Sequence, residues 1–170
     1  EKKEERSLKI NYSPIIDKLD IVQKLMFIVE DVTEIEKLER EAKEVLEISE
    51  IKIKKLQEIV SNDKKDLRLF SREVGLNLEL SKNSLERGDL EELFRAAHTI
   101  KGNARIYNLT GLSSEIHFIE GKINKLQKEN LEKDSLLEKM KSIHESIREA
   151  VENYIHLSKE IFGDDVDETV

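Results

Sequence analysis

Along residues 64–162 apolar positions return every three or four residues in four separate runs, the spacing of one buried helix face. The first run, about Lys64 to Arg87, predicts a helix that turns Leu67, Phe70, Val74, Leu78, Ser81 and Leu85 inward and stops at Gly88. The second begins at Asp89, with Glu92 completing a capping box, buries Leu90, Leu93, Ala97, Ile100 and Ala104, and ends near Asn108. The third, about Leu112 to Glu129, uses Ile116, Ile119, Ile123 and Leu126; the fourth, about Asp134 to Phe162, uses Leu137, Met140, Ile143, Ile147, Val151, Tyr154 and Ile161. Short connections between neighbours favour an antiparallel four-helix bundle over residues 63–162.

Upstream the pattern changes twice. Ile35, Leu38, Ala42, Val45, Ser49, Ile53, Leu56 and Val60 form a narrow stripe on one long helix that opens at Thr33-Glu34-Ile35-Glu36 and covers 33–62, with Ser61-Asn62-Asp63 as the break. Such a stripe suits a coiled-coil-like homodimer through 33–60, or packing of the same stripe on the bundle. Before it, Leu8 to Pro14 and Ile21 to Glu30 are rich in branched apolar residues around Asp17-Lys18-Leu19-Asp20, the pattern of a short β-hairpin or of an irregular amphipathic segment. Two strands alone are marginal in water, so a hairpin here needs something to pack on. The fold class is therefore mainly α, with a short N-terminal hairpin (1–32) and an aperiodic acidic tail (163–170).

Composition narrows the chemistry. In 170 residues there is no cysteine, which excludes disulfides and thiol catalysis, and four scattered histidines do not suggest a zinc site. A net charge of −8 argues against nucleic acid, since phosphate contacts need clustered cations. The runs Lys52 to Lys55 and Lys64-Lys65 are interleaved with acids and read as solvated faces. No apolar run suggests a membrane span or signal peptide, so a cytoplasmic protein without membrane contact is expected.

One segment carries candidate chemistry. In Phe94-Arg95-Ala96-Ala97-His98-Thr99-Ile100-Lys101-Gly102-Asn103-Ala104-Arg105, Lys101 and Gly102 are the nearest helical neighbours of His98. Glycine inside a helix costs about 1 kcal/mol relative to alanine, and open space for a bulky group such as phosphoryl is a reason to accept that cost. His98 falls beside the apolar stripe, toward solvent, where a neutral imidazole is a competent nucleophile near neutral pH. His144 and His156 have no comparable neighbours, and Arg105 lies two turns beyond His98, placed to steer an acidic partner.

The run Phe94 to Gly102, its exit Ala104-Arg105-Ile106-Tyr107-Asn108-Leu109, and the gap-free continuation Leu112-Ser113-Ser114-Glu115-Ile116-His117-Phe118-Ile119-Glu120 resemble histidine phosphotransfer (HPt) domains, most closely the phosphotransfer domain of chemotaxis kinases of the CheA type. The resemblance covers roughly Lys64 to Phe162. It implies His98 as phosphoacceptor, Lys101 as the nearby cation, Gly102 as the gap, and His117 and Glu120 facing His98 from the next helix. Departures are Asn108, where the family usually has glycine, and Gly121 inside the third helix. Asp31-Val32-Thr33-Glu34, with Tyr12-Ser13-Pro14-Ile15-Ile16-Asp17 before it, resembles the end of PAS sensor domains. By length only about the last quarter of such a domain is present, so the chain looks like a fragment of a longer receptor or kinase.

What the resemblance implies is a phosphorelay intermediate exchanging phosphoryl groups with response-regulator receiver domains and a histidine kinase domain, with magnesium brought by the receiver and no cofactor of its own. No Gly-rich phosphate loop or nucleotide motif is visible, so the fragment is not expected to bind ATP. The competing expectation is a dimeric helical connector that transmits a sensor signal without phosphate chemistry.

Overall fold

The computed structural model describes residues 5–18 and 21–164, which form two strands and five helices. Leu19 and Asp20 of the expected turn, and the acidic tail from residue 165 on, lie outside the described residues. The chain divides into two compact units, one up to Ile51 and one from Lys52, and the division falls within a helix.

In the first unit β1 (Leu8–Ile16) pairs antiparallel with β2 (Val22–Asp31), as the alternation of branched residues predicts. Register runs from Leu8 opposite Asp31 to Ile15 opposite Lys24, with an irregularity after Ile15. Period-two geometry puts Leu8, Ile10, Tyr12 and Pro14 on one face with Leu25, Phe27 and Val29. Every residue of both strands is exposed. Pro14 is tolerated because each strand of a two-stranded sheet has an outer edge.

Helix α1 (Thr33–Val60) is not opened by the expected capping box. Asp31 Oδ1 instead accepts from Thr33 N (3.1 Å) and Thr33 Oγ1 (2.6 Å), and Ser7 N donates to Thr33 Oγ1 at 2.9 Å. These bonds, with that of Val32 N to Ser7 O, tie the start of α1 to the strand ends.

The second unit contains α2 (Lys64–Arg87), α3 (Leu90–Ile106), α4 (Thr110–Leu126) and α5 (Lys133–Phe162). Each packs against its sequence neighbour, and α2 against α5. Helices that pack side by side across connections this short run antiparallel. Asp63 accepts from Asp66 N at 2.9 Å, and Gly88, at φ 66°, ends α2 in the left-handed conformation that glycine adopts freely. Asp89 caps α3 through Glu92 N, but the other half of the expected box is missing. The Asp89 N–H already bonds Ser84 O, so the Glu92 carboxylate turns to Arg87. Asn108 takes φ 54°, which asparagine tolerates best after glycine, so the turn between α3 and α4 forms without glycine.

The core follows most of the predicted stripes, with Leu78, Leu85 and Leu90 half-buried at its edge. Leu157 is buried near the end of α5, whereas Ile161, one turn further on, is exposed. Leu137 is only half-buried. The largest difference is at α1, whose end belongs to the core: Ile59 is fully buried, Leu56 packs beside it, and Val60 is exposed. Burying an isoleucine contributes about 2 kcal/mol, and the compact unit from Lys52 on holds this end of α1 together with the four helices that follow.

Candidate functional site

Helix α3 buries Leu93, Ala96, Ala97, Ile100 and Ala104. His98, one residue past Ala97, falls at the rim of that face, with 63% of its side chain exposed and its ring stacked on Phe94 at 6.0 Å between centroids. Lys101 does not stand out in solvent. Four residues after Ala97 and three before Ala104, it lies in the inward stripe, and its side chain is only 11% exposed. Gly102 follows, and a Cβ added there would meet nothing within 4 Å, so no internal contact demands glycine.

Helix α4 buries Ile116, Ile119 and Ile123, which leaves Glu120 on the inner edge toward α3 and His117 one turn before it. The Glu120 side chain, 6% exposed, is the centre of the cluster. His98 Nδ1 lies 2.9 Å from Oε1, Lys101 Nζ donates to Oε2 at 2.5 Å, and His117 Nδ1 lies 3.4 Å from Oε2. An ionised carboxylate only accepts, so the His98 bond places a proton on Nδ1 and leaves the Nε2 lone pair bare. Lys101 Nζ is also 3.4 Å from His98 Nδ1, but with that proton in place it acts on the ring as a charge and not as a donor.

Electrostatics agree with this wiring. Burial pushes the Glu120 carboxyl up, and the bonds from Lys101, His117 and His98 outweigh burial and hold it below the usual carboxylate range. No buried side-chain nitrogen or oxygen lacks a partner among the described residues.

His98, Lys101, His117 and Glu120 therefore meet on the α3–α4 face, and Gly102 lies one turn after His98 on α3. His117 leaves α4 one turn before Glu120 and meets the oxygen of Glu120 that does not face His98. Arg105 donates from Nε to Ser113 Oγ at 3.1 Å, and His156 lies beside Glu160 on the surface. His144 is half-buried, with Nδ1 2.7 Å from the buried Ser81 Oγ; burial lowers its pKa. Nothing in the structure explains Gly121.

A second polar cluster was missed in the sequence. Glu58, near the end of α1, accepts from Thr110 Oγ1 (2.5 Å), Gly111 N (3.0 Å) and Tyr154 Oη (3.0 Å). Gly111 has a steric reason to be glycine, since a Cβ there would run into the Tyr154 hydroxyl. Only that glycine, close after a turn, gave a sequence signal.

Among the described residues no group of three or more His, Cys, Asp or Glu is placed to hold a metal ion, and no helix is long and apolar enough to cross a membrane. No curated protein and no solved structure matches the chain. The model of the Hpt domain family matches residues 67–156, more than half of the chain, and that span holds both helices of the His98–Glu120 cluster. A histidine presented to solvent from the second helix of this bundle is what phosphotransfer requires, and the chain belongs to the Hpt domain family, whose members carry phosphoryl groups on histidine in phosphorelays.

Proposed function

We propose that His98 accepts a phosphoryl group from a kinase or a receiver aspartate and passes it to another receiver aspartate. The observation that carries this reading is the His98 Nδ1 bond to Glu120, which leaves Nε2 nucleophilic on an open face beside Gly102. The lone pair of Nε2 attacks phosphorus, an N–P bond forms, and the P–O bond to the donor breaks with its electrons on oxygen. Nδ1 keeps its proton throughout, and Glu120 stabilises the positive charge that develops on the ring.

No nucleotide-binding loop is visible in the sequence. The receiver supplies the acidic pocket and magnesium, or the kinase supplies ATP. Lys101 holds Glu120 in place and supplies a cation near the incoming phosphate. The CheA-like pairing of His117 and Glu120, and the PAS-like junction at Asp31 to Glu34, fit a cytoplasmic module downstream of a sensor in a larger kinase.

A second reading draws on α1. Ile35, Leu38, Val45 and Ile53 are exposed along it, an apolar row that suits a parallel homodimer through 33–60. In this reading the chain is a dimeric connector and takes no phosphate. Incubation with an active kinase or a phosphorylated receiver separates the two. The phosphotransfer reading expects acid-labile, alkali-stable phosphate that His98→Gln abolishes; no uptake from any competent donor favours the connector.

A further inference from the structure

Helix α4 begins without a cap of its own. Leu109 precedes it, and no side chain of that segment bonds its first N–H groups. The missing acceptor comes from α1, 53 residues earlier in the chain, as Glu58 reaches the Gly111 N–H with both oxygens, at 3.0 and 3.1 Å. The same carboxylate takes the hydroxyls of Thr110 and Tyr154, and burial beside Glu58 raises the Tyr154 pKa, which keeps that hydroxyl protonated and donating. One turn along each helix, Lys55 pairs with Glu115 at 2.8 Å and lies over the Tyr154 ring at 5.1 Å. Lys55 is almost covered, with 12% of its side chain exposed. Two successive turns of α1 therefore grip the first two turns of α4.

Glu120 is nine residues beyond Gly111 on the same helix, about 13 Å along its axis. A helix of this length moves as a rod, so whatever fixes its first turn fixes the position of the Glu120 carboxylate against His98. That bond, at 2.9 Å, depends on the placement of α4 for both its length and its angle, and it weakens as either departs from the ideal. We infer that Glu58 is a positioning residue for phosphotransfer, holding α4 in the register at which Glu120 selects the reactive tautomer of His98. The end of the long helix α1 thereby gains control of a histidine it does not touch, and movement of α1 becomes a change in nucleophilicity.

The inference deepens the phosphoacceptor reading and rests on it for the rate of transfer; its tautomer readout does not. The test uses the full chain and Glu58→Ala and Glu58→Gln variants. The His98 imidazole is followed by nitrogen NMR, and phosphoryl uptake from a phosphorylated receiver is timed in parallel. Glu58→Ala is expected to convert His98 from predominantly Nδ1–H to a mixture of tautomers and to slow uptake about fivefold, the lower end of coupling between sites. Glu58→Gln, which still accepts from Gly111 and Tyr154, is expected to recover most of both. A folded Glu58→Ala with lowered Tm but an unchanged tautomer ratio would overturn the inference and leave Glu58 a structural cap. Should Glu58→Ala fail to fold, Thr110→Val, which removes one donor, is read in the same way. If the wild type takes up no phosphate while the tautomer responds to Glu58, the phosphoacceptor reading fails and the positioning role stands.

Discussion

Lys101 and Glu120 form a buried ion pair, 2.5 Å between Nζ and Oε2, beneath the exposed ring of His98. The pair joins α3 to α4 and fixes the carboxylate that meets His98 Nδ1. Removing one partner of a buried pair leaves the other charge uncompensated, at a cost of about 3 kcal/mol. Lys101→Ala is therefore expected to lose stability and phosphoryl uptake together, read by urea denaturation beside a transfer assay. The sequence alone, with Lys101 taken as a nearby cation, suggests a loss of transfer larger than the loss of stability.

Glu120→Gln tests charge separately from shape. The amide still accepts from Nδ1, but a hydrogen bond to a neutral acceptor is about half as strong as one to a carboxylate. Uptake is expected to fall about tenfold, equivalent to 1.4 kcal/mol, in single-turnover kinetics, while circular dichroism stays that of the wild type.

Acid should weaken the fold through the same carboxylate. The pKa of Glu120 is lowered in the folded state, so its contribution is full above the ordinary value of 4.5 and is lost as pH falls through the lowered one. Glu120→Gln is expected to show a shallower loss of Tm in that acidic range than the wild type.

His144 works in the other direction on the scale. Burial lowers its pKa below 6.5, so the unfolded chain binds the proton first and stability rises with pH through the interval between the two values. Lowering the pH from about 7 through that interval should reduce Tm in the wild type and less in His144→Gln, which keeps a partner for Ser81.

Ile59 and Ile35 separate the two ends of α1. Ile59→Ala opens a cavity in the bundle core and is expected to cost about 3 kcal/mol, whereas Ile35→Ala should leave bundle stability unchanged. If α1 mediates a homodimer, Ile35→Ala with Leu38→Ala should weaken it in sedimentation equilibrium.

How much of this was readable from sequence varied with the range of the interactions. The four bundle helices, Gly88, Asn108 and the His98–Glu120 set were readable because caps and three-to-four spacing are local, and the two site helices follow one another in the chain. The hairpin was readable from alternation. Lys101 burial was available in the same spacing, since 97, 101 and 104 share a face, but a lysine there reads as surface until its partner is known. Glu58 was not readable, because what fixes it is contact with residues some fifty positions or more away, and the burial of Ile59 is set by packing that no local pattern marks. Ile59 and Val60 fit a narrow helical stripe equally well.

The most direct test is to phosphorylate the full chain with a phosphorylated receiver and map the modified residue by mass spectrometry under alkaline conditions. The account predicts a phosphoryl group on His98, stable in alkali, lost in acid and absent from His98→Gln. Phosphate on another residue, or undiminished uptake by His98→Gln, would contradict it.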